Sequence, residues 1–325
     1  MRVLGKSGIE VSAIGFGCWA IGGPFYRDGS PAGWGEVDDN ESAAALRRAL
    51  ELGITFFDTS DVYGTGHSEQ VLGRALAGHR DEVVIATKFG NVFDPARRVI
   101  TGADASPGHI HQACRDSLAR LGTDRIDLYQ LHLGDLPASQ ADDAMAALED
   151  LVTAGLIRGY GWSTDDPERA AQFGKGAHGT AVQHEMNVLA DNPDMLAVCD
   201  AFDLASVNRG PLAMGLLTGK YGAADQVPAD DVRANAPWIR YFSDGRPAPD
   251  WLARLDAVRA VLTSGGRTLA QGALGWLLAR SPRTVPIPGI RTVAQAEQNA
   301  AALELGPLTP AEMAEIARLL QDGDG

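Results

Sequence analysis

Eight short apolar runs, each followed by a helical segment, with no Pro/Ser-rich linker between them, predict one (β/α)8 TIM barrel spanning residues 1–325. The runs are apolar on both parities, as parallel strands covered on both faces must be. An N-terminal β-hairpin and extra C-terminal helices complete the expected α/β architecture.

The hairpin is expected from Arg2-Val3-Leu4 and Ile9-Glu10-Val11, which flank Lys6-Ser7-Gly8. The eight runs are Ala13–Gly17, Thr55–Asp58, Val83–Lys88, Ile126–His132, Ile157–Ser163, Ala181–Gln183, Leu204–Asn208 and Thr284–Ile287. Helices between them carry their own punctuation. Ser106-Pro107 offers an N-cap and a proline at the first helical position, apolar residues recur from Ile110 to Leu121, and Gly122 stops the helix. A second helix starts at Ser139 and ends before Gly155, and a third runs from Asn40 to Leu52 before Gly53. The stretch from Thr218 to Pro249 is rich in Gly, Pro, Asp and Ala and reads as a long loop near the active-site mouth. Its Trp238, Tyr241 and Phe242 suit either a pocket lining or anchors that pin the loop to the barrel.

Composition narrows the function. A 45% hydrophobic chain fills a large core, and a net charge of −14 argues against nucleic acid or an anionic membrane as partner. No run approaches the ~20 apolar residues of a membrane span, and Met1–Gly5 has neither the apolar core nor the cleavage site of a signal peptide. Cys18, Cys114 and Cys199 are far apart and outside any CxxC pattern, so reduced thiols in a cytoplasmic protein are expected, with no zinc site. Seven scattered histidines and no H-x-x-x-H pair also suggest no metal.

Gly15-Phe16-Gly17-Cys18-Trp19-Ala20 matches the dinucleotide fingerprint as a string. That fingerprint needs a helix opening at its glycines, and Ile21-Gly22-Gly23-Pro24 cannot form one. The Rossmann reading fails, although a glycine-lined first loop near a ligand remains open.

Polar residues close three of the apolar runs. The second ends in Asp58, the third in Lys88 and the fourth in His132. Ionisable groups there are costly unless paired. Each shares parity with an apolar neighbour, Phe56, Ala86 and Leu128 respectively, so all three are expected in the mouth where barrel active sites lie. Tyr63 follows in the loop Asp61–Gly66. Singly, each has an ordinary structural explanation, as a cap, a packing residue or a hydrogen-bonded histidine. Their convergence does not.

Phe57-Asp58-Thr59-Ser60-Asp61-Val62-Tyr63-Gly64, Ala86-Thr87-Lys88, Asp127–His132, Val182-Gln183 with Asn187, Gly210-Pro211-Leu212 leading to Gly215–Lys220, and Ile287-Pro288-Gly289 occur in this order. In them the chain resembles the aldo-keto reductase family, in the bacterial branch that also resembles potassium-channel β subunits. The resemblance implies NADPH-dependent reduction of an aldehyde or ketone, with a catalytic tetrad of Asp58, Tyr63, Lys88 and His132. Tyr63 would protonate the carbonyl oxygen, Lys88 would lower the phenol's pKa, Asp58 would hold the lysine, and His132 would bond the substrate carbonyl.

The resemblance also implies cofactor contacts. Ser163, Thr164 and Gln183 would hold the nicotinamide carboxamide, with Trp19 and Asp58 nearby. Thr164 stands where the family usually has Asn, and Arg209 where it usually stacks an aromatic ring. Gly210, Pro211, Leu212, Gly215 and Lys220 would embrace the pyrophosphate. Ile287, Gly289, Arg291, Gln295, Gln298 and Asn299 would hold the adenosine 2′-phosphate and adenine, with Gln298 where Glu is usual. Arg291 at a helix start suits a phosphate by charge and by helix terminus. Two other readings stay open: an NADPH-binding sensor or regulatory subunit with little turnover, and a barrel isomerase or lyase for a phosphorylated substrate. The partner expected is a small-molecule carbonyl compound. Its identity and the oligomeric state are not legible.

Overall fold

A computed structural model describes residues 1–234 and 236–321. Eight parallel strands follow one another around a single sheet in chain order: β1 (Phe16–Gly17), β2 (Phe56–Asp58), β3 (Val84–Phe89), β4 (Leu128–Leu131), β5 (Tyr160–Ser163), β6 (Gly179–Glu185), β7 (Ala205–Arg209) and β8 (Thr284–Pro286). The ends join. Gly15 N donates to Pro286 O at 2.9 Å and Gly17 N to Pro288 O at 2.9 Å, with Gly17 bridging Gly289. Glycine is needed at position 17 because a Cβ there would lie 2.6 Å from Ile287 O.

Among the described residues, ten α-helices accompany the strands: α1 (Asp39–Glu51), α2 (His67–Ala75), α3 (Pro107–Leu121), α4 (Ala138–Thr153), α5 (Pro167–Gly174), α6 (Pro193–Phe202), α7 (Pro249–Leu262), α8 (Leu269–Arg280), α9 (Val293–Leu305) and α10 (Pro310–Gln321). The caps expected for α3 are present, while α4 begins at Ala138, one residue before Ser139, with no side-chain cap. Ser106 Oγ accepts from His109 N before α3, and Gly122 closes it at φ 65°. Asp38 caps α1 through the amides of Asn40 and Glu41. The extra helices are α7 and α10, which pack on each other outside the ring. Only α10 is C-terminal. α7 stands between β7 and α8, where the long expected loop ends.

Inward-facing residues follow the two-residue period. Phe56, Val84, Ala86, Leu128, Ala181, Ala205, Val207, Val285 and Ile287 fill the barrel, with Leu4, Ile9 and Val11 of the hairpin plugging its lower end. Each Val, Leu, Ile or Phe among them contributes roughly 1.5–3 kcal/mol on burial. Above this layer, on the same parity, stand the polar side chains of Asp58, Lys88, Gln130, Gln183 and Arg209.

The segment Gly22–Gly35, after the glycine-rich end of the first strand, contains strands Tyr26–Arg27 and Ser30–Pro31. They join Asn91–Asp94 and Val99–Ala103 in a four-stranded sheet beside the mouth. These strands are two to five residues long and partly exposed, so they lack the buried apolar runs that marked the barrel. The Thr218–Pro249 stretch is likewise not wholly irregular. Val232–Ala234 forms a 3-10 turn, and Phe242–Ser243 pairs with Arg246–Pro247.

Candidate active site

Above the apolar layer, β2, β3, β4 and β6 each contribute an inward polar side chain. Lys88 Nζ lies 2.5 Å from Asp58 Oδ1, 2.7 Å from Thr59 O and 3.2 Å from the Tyr63 hydroxyl. The second oxygen of Asp58 accepts from Gln130 Nε2 at 3.0 Å and Gln183 Nε2 at 2.8 Å. Asp58 and Lys88 are buried, so this pairing offsets a desolvation penalty of several kcal/mol per ion. His132, just past β4, stands edge-on to Tyr63 with ring centres 5.9 Å apart. Its Nδ1 lies 3.1 Å from Ser60 Oγ. All four expected catalytic residues therefore converge.

Burial sets the protonation states. It raises the Tyr63 pKa above the ordinary phenol value, Lys88 pulls it back, and Asp58 adds to the rise. The expected lowering by Lys88 is present but does not win, and the phenol stays protonated at neutral pH. For Lys88, burial disfavours the cation while Asp58 and Tyr63 favour it, with a net rise that keeps it charged. Burial, then the Lys88, Arg209 and Arg27 cations, hold His132 well below the usual histidine range, so it is neutral.

Trp19 lies on the phenol and joins it to two further tryptophans. Trp19 stacks on Tyr63 at 6.0 Å and on Trp238 at 6.0 Å, and meets Trp34 edge-on at 5.1 Å. Trp238 is 60% exposed, whereas Tyr241 and Phe242 are buried. The aromatic residues of the long loop thus divide: Tyr241 and Phe242 pin it, and Trp238 faces the mouth side. The pin is polar as well. The Tyr241 hydroxyl donates to Glu185 and accepts from Asn187 Nδ2 at 2.8 Å, and Arg240 pairs with Glu185 at 3.1 Å.

Ser163 and Gln183 are register partners on β5 and β6. The amide nitrogen of Gln183 is committed to Asp58 and to Gln130 Oε1. The Thr164 hydroxyl is committed too, donating to Gly134 O at 2.8 Å and accepting from Asp166 N. Arg209 pairs with Asp165, and Glu185 lies 3.9 Å away, so its guanidinium is anchored by carboxylates. After β7, Gly210, Ala213, Met214 and Gly215 all have left-handed φ, from 48° to 94°. For Ala213 and Met214 this conformation costs ~1–3 kcal/mol each and is held by buried Leu216 and Leu217. Pro211 and Leu212 lie in this turn, and the Lys220 ammonium stands 5.3 Å from the Tyr221 ring centre.

Arg291 donates to the carbonyls of Trp34 at 3.2 Å and Glu36 at 2.5 Å. Among the described residues no carboxylate neutralises it. Gln295 Oε1 accepts from Arg291 N, Gln298 donates to Thr268 Oγ1, and Asn299 is buried on α9. Ile287 and Gly289 lie at the β8 end, against the first strand.

Ser60, Gln130 and Glu185 were not singled out in the sequence. Gln130 shares parity with Leu128 and His132, so the rule that selected His132 selects it as well. Ser60 and Glu185 were not signalled, because the partners that bring them to the site, His132 for Ser60 and Tyr241 for Glu185, are 72 and 56 residues away.

A sequence model described as the Aldo/keto reductase family matches residues 13–321. The aldo-keto reductase yakc of Schizosaccharomyces pombe, whose name specifies NADP(+), is 33% identical over 94% of this chain and 87% of its own length. Among solved structures, the glycerol dehydrogenase of Gluconobacter oxydans superposes with a TM-score of 0.82 at 29% identity, covering 99% of this chain and 95% of that one. An aldo/keto reductase of Klebsiella pneumoniae, solved with NADP and acetate, superposes with a TM-score of 0.72 at 28% identity, covering 98% and 95%.

Proposed function

The chain belongs to the aldo/keto reductase family, and from that premise we propose that it reduces an aldehyde or ketone to the alcohol with NADPH, reversibly, with Tyr63 as proton donor. The observation that carries this reading is the buried contact of Lys88 Nζ with both Asp58 Oδ1 and the Tyr63 hydroxyl. A protonated phenol beside a fixed cation gives up its proton to an oxygen that is gaining negative charge, and the cation stabilises the phenolate left behind. Asp58 keeps the ammonium in place. His132, neutral, serves as a hydrogen-bonding partner for the carbonyl oxygen.

The residues present fit a nicotinamide dinucleotide. The Ser163 hydroxyl and the Gln183 amide oxygen take no hydrogen bond from the described residues, and they sit side by side, suited to a carboxamide. Arg291 carries a charge no described carboxylate cancels, suited to the 2′-phosphate that distinguishes NADPH. Gly210, Pro211, Leu212, Gly215 and Lys220 would hold the pyrophosphate, and Gln295, Gln298 and Asn299 the adenosine. Ile287, Gly289, Trp19 and Asp58 would border the site. Thr164, its hydroxyl already bonded, would contribute through packing, and Arg209 would stand beside the nicotinamide from its carboxylate anchors. When bound, the cofactor supplies the hydride.

The loop 218–249 would form part of the substrate mouth within a single-domain barrel. No helix among the described residues is long and apolar enough to cross a membrane, and the three buried, free cysteines accord with a cytoplasmic location. The deciding experiment is a panel of aldehydes and ketones followed by NADPH absorbance. Turnover that disappears in Tyr63→Phe is expected, and NADPH binding without turnover of any carbonyl would sink the proposal.

A further inference from the structure

A neutral histidine carries one ring proton, and its use to a carbonyl oxygen depends on which nitrogen holds it. His132 Nδ1 lies 3.1 Å from Ser60 Oγ, and Ser60 Oγ lies 3.2 Å from Asp61 Oδ1. The Val62 amide also donates to Ser60 Oγ, at 3.4 Å. A serine hydroxyl has a single proton to donate, so the row has two self-consistent settings. With Asp61 ionised, Ser60 donates to the carboxylate, Nδ1–H donates to Ser60, and Nε2 is a bare acceptor. With Asp61 protonated, its O–H donates to Ser60, Ser60 donates to Nδ1, and the ring proton sits on Nε2. The settings differ by one proton exchanged with solvent. Passing between them shifts protons along existing hydrogen bonds and makes or breaks no other bond.

We infer that Asp61, acting through Ser60, determines which ring nitrogen of His132 carries the proton, and hence whether the histidine donates to the substrate oxygen. Both are positioning residues that do not touch substrate. The inference rests on the reading that His132 meets the carbonyl.

The surroundings of Asp61 favour its acid form. It is buried, and among the described residues it forms no ion pair. Burial, then the nearby Glu69 on α2, push its carboxyl well above the ordinary range, while Arg120 on α3 and the Ser60 and Val62 hydrogen bonds pull the other way. Arg120 is engaged with Glu69 at 2.6 Å, and Glu69 also accepts from Thr87 at 2.5 Å. Tyr129 on β4 and Cys114 on α3 complete the titratable groups facing this cluster. On its other side the imidazole faces Lys88, Arg209 and Arg27.

The test is nitrogen-15 NMR of the full-length protein labelled at histidine, with the His132 signals identified by their loss in His132→Gln. Wild type is expected to hold the proton on Nε2 at neutral pH and to shift toward Nδ1 as Asp61 ionises at higher pH. Asp61→Asn, whose amide donates to Ser60 in place of the acid, should keep Nε2–H without that crossover. Ser60→Ala should give mixed tautomers and a kcat loss of ~10-fold with unchanged NADPH affinity. A wild-type proton on Nδ1 at neutral pH, or the same pH-independent tautomer in wild type and Ser60→Ala, overturns the inference. Should Asp61→Asn not fold, Ser60→Ala decides alone. The spectra need no substrate, so an enzyme without carbonyl turnover would refute the proposed function while leaving this result readable.

Discussion

The Tyr63 hydroxyl lies 3.2 Å from Lys88 Nζ, and the same ammonium stands 4.8 Å from the centre of the tyrosine ring. One buried cation therefore acts on both the acidic group and the ring that carries it. Removing either member should act on the chemical step. Tyr63→Phe and Lys88→Met are expected to lower kcat by 10²–10⁴-fold, roughly the contribution of a positioned acid. NADPH affinity, read by fluorescence titration, should change little in Tyr63→Phe. A kcat within a few-fold of wild type would remove Tyr63 from the mechanism.

Asp58→Asn should damage the fold as well as the rate. It leaves Lys88 charged and buried beside amides, a defect of about 3–5 kcal/mol in comparable buried pairs. Urea unfolding should show that loss. The double variant Asp58→Asn/Lys88→Met should recover much of the stability but no activity, because the cation is then gone.

The pH profile of reduction should show no histidine step. His132 stays neutral well below the ordinary histidine range, and Tyr63 stays protonated because burial outweighs Lys88. Reduction is therefore expected to be flat from about pH 6 to 8 and to fall only at alkaline pH. Oxidation of the alcohol, which needs the phenolate, should rise over the same alkaline interval. Initial rates in both directions across a pH series test this, and an inflection near pH 6.5 in reduction would contradict it.

Arg291→Ala should separate the two nicotinamide cofactors. Loss of one or two charge-assisted hydrogen bonds corresponds to ~10–100-fold weaker NADPH binding. NADH, which has no 2′-phosphate, should be nearly unaffected. Equal losses for both would place Arg291 in the scaffold instead.

His184 gives a stability prediction away from the site. It is buried behind Gln183 with Nε2 2.7 Å from Ser206 Oγ, and burial chiefly lowers its pKa to about 4. The unfolded chain takes up that proton near the ordinary value and the folded chain does not. Stability from this group is thus complete above about pH 6.5 and falls as pH drops toward 4, by on the order of 3 kcal/mol. The difference between wild type and His184→Gln, followed by urea unfolding across that range, should show this slope.

The barrel and the tetrad were legible in the sequence because both depend on short-range rules. Apolar runs of three to seven residues mark buried parallel strands, and a two-residue period assigns Asp58, Lys88 and His132 to the face that Phe56, Ala86 and Leu128 share. The order of the motifs carried the family. Three-dimensional packing alone decided the rest. That Thr164 spends its hydroxyl on Gly134, that Arg209 is held by Asp165, and that the Tyr63 proton is kept by burial against the pull of Lys88 all depend on groups 25 to 44 residues apart. The bond from Ser60 to His132 spans 72 residues, and the Trp19–Trp238 stack joins positions 219 residues apart. Strand period and capping act within a few residues, whereas desolvation and hydrogen-bond satisfaction are set by whichever neighbours the closed barrel brings in.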